Sequence, residues 1–215
     1  MFCSEQCREK AFKMYHRYEC FNSRIVKPEH SDLLNPMKTL FYGLYLFDHK
    51  IEDLKAFILS RGVERKIISD YDLNEWNSIE TKRNLFLCVD SLVPNKRCAE
   101  KKPFHLMFKK HHLLKKMWKK EKKFLTLFLN RHYDISAMVH LDIWKWASDT
   151  AEVIELNQLA DAKRKQVGYG CYVFTSMFNH SCVPNVELHC GNNGKMYLIV
   201  NQNIARGQQL FRSFT

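Results

Sequence analysis

Glycine is almost missing from the middle of this chain: of 7 glycines in 215 residues, only Gly43 and Gly62 fall between residues 31 and 165. Turn-rich architecture is therefore excluded there, and a helical middle is expected. Long apolar runs are missing too. The longest, LFYGLYLF at 40–47, is far short of the roughly 20 residues a membrane span needs. The start, MFCSEQCREK, is polar at once and offers no signal-peptide core. No internal repeat or low-complexity linker interrupts the chain. Together these absences lead to the expectation of a soluble protein, cytoplasmic and/or nuclear, with no membrane span. Acidic residues are also in short supply, 23 against 34 Lys and Arg, which leaves a formal charge of +11. That excess suits an acidic partner (nucleic acid, a membrane surface or an acidic protein) or simply a solvated helix surface.

What is present argues for an ordinary folded protein. Hydrophobic residues make up 46% and aromatics 13%, more than a disordered chain carries. A chain of this length can build one large domain or two small ones. Leu40, Leu44, Phe47 and Ile51 recur at the three- and four-residue spacing of an amphipathic helix. From Phe108 to Arg131, Leu114, Met117, Trp118, Phe124, Leu125 and Phe128 share one broad helical face. Beyond Gly168 the pattern changes. Val186, Leu188 and Cys190 alternate with Glu187 and His189, which predicts a half-buried strand. A turn at Asn192-Asn193-Gly194 and a return strand from Met196 to Val200 complete a predicted hairpin. A turn at Ala205-Arg206-Gly207 then leads into a final strand from Gln209 to Phe214. Helices first and sheet afterwards predict an α+β fold.

Eight cysteines in a reducing compartment are free thiols or metal ligands rather than disulfides. Cys3, Cys7, His16 and Cys20 are spaced Cys-x3-Cys-x8-His-x3-Cys, so each pair could chelate one zinc ion from one face of a helix. In a single helix Cys7 and His16 would stand about 13 Å apart, at roughly 1.5 Å per residue. Ligands of one zinc lie only about 2.0–2.3 Å from it, so the two pairs would serve different ions. The alternative is a cysteine-bearing surface helix with no metal. Cys88 and Cys98 fit core or surface thiols.

Near the other end stands Asn179-His180-Ser181-Cys182-Val183-Pro184-Asn185, a polar segment ahead of the strand at Val186. Its side chains offer donors and acceptors to a polar ligand, or else satisfy one another in a loop. The string resembles the signature of SET domains. Gly168-Tyr169-Gly170-Cys171-Tyr172 resembles the approach to that signature in the SET-and-MYND (SMYD) proteins. Ile204-Ala205-Arg206-Gly207-Gln208-Gln209-Leu210 and Ser213-Phe214 resemble the segments downstream of it in those proteins. FCSEQCREKAFKMYHRYEC is similar to the last half of a MYND zinc finger.

The resemblance implies a SMYD-like protein-lysine methyltransferase, truncated at both ends. Residues 1–20 would be the C-terminal half of a MYND-type finger, 21–165 a helical region with the SET insertion, and 166–215 the C-terminal, β-rich part of the SET core. It implies S-adenosylmethionine as methyl donor, contacted by Asn179 and His180, a histone or other protein as substrate, and chromatin as a setting. It implies zinc at Cys3 and Cys7, at His16 and Cys20, and at Cys182, whose companion cysteines would lie beyond Thr215. Three departures stand against activity. The first SET strands, with their Gly-x-Gly, would precede Met1. Phe214 occupies the place of a tyrosine whose hydroxyl lies near the transferring methyl. Asp149, in Ser148-Asp149-Thr150, replaces a cofactor-binding asparagine. The other readings are a non-catalytic module that docks proteins, and nonspecific nucleic-acid contact through residues 109–123. That run, KKHHLLKKMWKKEKK, carries eight lysines and no arginine. Its own alternative is a solvated basic helix face.

Overall fold

A computed structural model of the chain describes residues 4–19, 32–60, 78–94, 102–109, 112–146, 164–172, 175–191 and 195–214. The chain divides into two compact units, Met1–Met138 and Val139–Thr215.

The first unit is helical. Ser4 is extended and its side chain accepts the Cys7 N–H, capping α1 (Glu5–Ala11). The chain continues without a break through a π-helical turn, Phe12–His16, into α2 (Arg17–Glu19). Helix α3 (Leu34–Leu46) tolerates Pro36 because its first turn has no intrahelical partner for that N–H. The sequence pattern runs on to Ile51, but the helix does not. Asp48 and His49 adopt left-handed conformations, and the His49 N–H returns to the Leu44 carbonyl, closing the helix end. Helix α4 (Ile51–Leu59) then starts afresh. Leu40, Leu44, Phe47 and Ile51 are all buried, so the apolar pattern marked the core correctly and misplaced only the break.

Helices α5 (Ile79–Asp90), α6 (His105–Phe108) and α7 (His112–Val139) complete this unit. The Arg83 side chain reaches from α5 to the Leu46 carbonyl at 2.9 Å and satisfies the end of α3. Leu54, Phe104, Phe108, Leu114, Leu125 and Leu129 are almost wholly excluded from solvent and form the centre of the core. Met117, Trp118 and Phe124 pack against its rim, as the periodicity of 108–131 predicts. Deep beside them, Asp90 accepts from or ion-pairs with His132 at 3.1 Å.

The second unit is built from two-stranded pieces. β1 (His140–Trp146) pairs antiparallel with β2 (Arg164–Cys171), with a bulge between Ile143 and Trp144. β1 lies inside the stretch assigned to helix from the sequence. Ile143, Trp144 and Trp146 favour strand, but no glycine or proline marks the change. A 3-10 turn, Thr175–Met177, leads to β3 (Asn179–His180). β4 (Val186–Cys190) and β5 (Met196–Val200) form the predicted antiparallel hairpin, with Val186 opposite Val200. The predicted turn residues 192–194 lie outside the described residues. After a turn in which Gly207 has φ +83, β6 (Phe211–Arg212) pairs in parallel with β3. No described helix is long and apolar enough to cross a membrane.

Candidate active site

The parallel pairing of β3 with β6 sets Asn179 beside Phe211 and His180 beside Arg212. Two strands this short cannot hold themselves together by backbone bonds alone. Asn185 supplies the rest. It is buried, its Oδ1 accepts the Phe211 N–H at 2.7 Å, and its Nδ2 donates to the Gln209 carbonyl at 2.9 Å. Its own N–H donates to the Phe211 carbonyl, and its carbonyl accepts the Asn201 N–H. One side chain thus replaces the strand that Gln209 and Phe211 would otherwise need. This explains why the predicted strand Gln209–Phe214 shortens to two residues.

His180 fixes the next step of chain. Its Nδ1 accepts the Phe214 N–H at 3.1 Å, and the two rings lie 5.2 Å apart. A backbone N–H can only donate, so Nδ1 is unprotonated and the neutral ring carries its hydrogen on Nε2. That nitrogen lies 3.4 Å from the Cys182 sulfur. Ser181 ties the bend: its N–H donates to the Arg212 carbonyl and its Oγ accepts the Val183 N–H.

Arg212 is buried beneath. Its Nε donates to the Thr175 carbonyl at 3.1 Å, and its guanidinium lies 4.3 Å from the centre of the Phe214 ring. Burial pulls its pKa below the ordinary value. Phe214 therefore contacts both a histidine ring and a cation. Asn179, His180, Cys182 and Phe214 are all exposed.

The SET-domain family model matches residues 5–215. The chain belongs to the SET-domain family. At the family level this assigns protein-lysine methyl transfer, with S-adenosylmethionine as cofactor and a protein as substrate. The match takes in the helical unit from Glu5 onward, and with it all but the first four residues of the segment read as half a zinc finger. Comparison with curated proteins and with solved structures yields no match.

The helical run agrees with the sequence spacing in keeping the two predicted zinc pairs apart. Cys7 lies exposed on α1 and His16 in the π-helical turn, nine positions further along an unbroken helical run. They do not share an ion. Among the described residues no group of three His, Cys, Asp or Glu could hold one. Cys182 meets only His180 as a second ligand type among those residues. Cys3, Cys20 and Asp149 lie outside the described residues. Among the described residues a zinc site is therefore not supported, and no chemistry is routed through one.

Two residues of the SET site carry weight that the sequence did not assign. Asn185 stood in the quoted motif without a role, and Arg212 stood outside every motif. A signal existed for the first: an Asn directly after Pro184, ahead of a strand, is placed to bond backbone rather than solvent.

Proposed function

We propose that this chain is a SMYD-type member of the SET family whose site, centred on Asn179, His180 and Phe214, binds S-adenosylmethionine and presents it to a lysine side chain. The observation that carries the reading is the joining of β3 to β6, which brings the Asn-His signature and Phe214 to one exposed place. When bound, S-adenosylmethionine would supply a methyl on a sulfonium sulfur: the C–S bond would break to leave a neutral thioether as the C–N bond to the neutral lysine amine forms, and the amine's extra proton would go to water.

The chain's own residues orient and enclose. The Asn179 amide holds a polar portion of the cofactor. His180 keeps the 214 backbone in register through Nδ1, and Phe214 offers an apolar wall. In-line positioning of two bound partners accounts for most of what such a protein must supply. Asp149 enters the proposal as an acceptor toward the cofactor. Cys3, Cys7, His16 and Cys20 enter as two zinc pairs and Cys182 as a single ligand. Zinc content measured on the purified chain separates this SMYD reading from a metal-free SET protein.

A second reading rests on Phe214 itself. With no hydroxyl at this position, the site can bind without assisting transfer, and the protein would act as a docking module. Phe214→Tyr decides between them. Added beside His180, the hydroxyl is expected to raise methyl transfer to lysine peptides on the order of 10²-fold, with cofactor affinity unchanged. Cofactor binding with no transfer from either form would favour the docking reading.

A further inference from the structure

The lysine run on α7 has no part in the site above. Its only acidic member, Glu121, is turned down against the Lys55 ammonium of α4 at 2.9 Å, and is only 13% exposed. Lys120 is likewise taken by Glu52 of the same helix. Glu121 has non-helical φ and ψ, so the helix bends where the two ion pairs tie it to α4. These contacts remove the one negative charge from the face. They leave Lys115, Lys116, Lys119, Lys122 and Lys123 exposed, with no described acid paired to any of them.

We infer that this face of α7 binds duplex nucleic acid through its backbone phosphates, without reading sequence. Lys115 to Lys123 cover about 12 Å at roughly 1.5 Å per residue. A duplex carries one phosphate charge per about 1.7 Å of its axis. Over that length the duplex presents about seven phosphates on its two strands together, about three to four on each, so five ammonium groups are matched when the ridge reaches both strands across a groove. Unbranched ammonium groups on a convex helix act as point charges and suit a diffuse line of phosphates. Single strands are disfavoured, because Trp118 and Phe124 pack in part against the core and offer little ring surface for base stacking. A membrane surface is disfavoured because most of the apolar side of α7, with Leu114, Leu125 and Leu129, is buried in the core and only Leu113 and Leu127 of its described leucines are exposed.

The test uses the whole chain and a short DNA duplex of random sequence. Five phosphate contacts give a slope of log K against log salt near about −4.5, or about 500-fold weaker binding on going from about 50 to about 200 mM salt. Changing Lys115, Lys116 and Lys119 together to Gln should reduce the slope by about 2.7. Changing Lys10, Lys13 and Lys50 to Gln removes the same charge elsewhere on exposed surface and should leave it unaltered. Absence of duplex binding at low salt overturns the inference. So does an equal loss in both triple variants, or tighter retention on anionic vesicles or polyglutamate than on duplex at the same salt.

Discussion

Asn185 shows how much one buried amide can decide. Its side chain satisfies one donor and one acceptor on the stretch that ends at Phe214. Removing it leaves the Phe211 N–H and the Gln209 carbonyl without partners in a half-buried place, a loss of about 2–3 kcal/mol. Asn185→Ala is therefore expected to speed hydrogen exchange at the Phe211 amide on the order of 10²-fold. Unchanged exchange would mean the β3–β6 pairing does not depend on this clamp. Neighbouring residues show where sequence reading stopped. Asn179 and His180 were legible because a motif named them, and the structure places both beside β6. Arg212 was not, since nothing in a single charged residue tells that its guanidinium will be buried under a ring.

Among the elements, the turn that ends α3 is the most informative. His49 sits at φ 62 with its Nδ1 2.8 Å from the Tyr18 hydroxyl, next to the stacked pair Tyr18–Phe41. Burial lowers its pKa from the ordinary 6.5, helped by Arg17 and opposed by Asp48. A histidine depressed in the folded state binds its proton more readily when unfolded. Its stabilising share is complete above the unfolded value and falls away as pH drops through about 6.5 toward the folded value. The melting temperature should thus decrease between about pH 7 and about pH 5.5. His49→Asn, which tolerates the left-handed backbone, should flatten that decrease. An equal decrease in the variant would assign the effect to other groups.

Elements were legible wherever one periodicity ran unbroken. α7 and the β4–β5 hairpin match the sequence pattern, because a repeating apolar face leaves few alternatives. The break after Leu46 was invisible because Phe47 and Ile51 keep the helical spacing while the backbone between them reverses. β1 was invisible because no glycine or proline announces it.

For the whole molecule, the helical unit carries the lysine run of α7, and the strand-rich unit carries the Asn179–Asn185 string. Family membership spans both, so the SET pattern over residues 5–215 takes in the part where helix dominates. The general class was legible from composition and from one seven-residue string. The pairing that sets the string beside Phe211 and Arg212 was not, because it depends on β6, which comes more than 25 residues later and is held by a side chain as well as by its short ladder. Cofactor binding at this site is tested most sharply by a calorimetric titration of the full chain with S-adenosylmethionine, repeated on Asn179→Ala. Saturable binding in the micromolar range is expected, about tenfold weaker or worse in the variant. A folded chain that shows no binding, or a variant that binds as tightly as the parent, would contradict the assignment of the site to Asn179, His180 and Phe214.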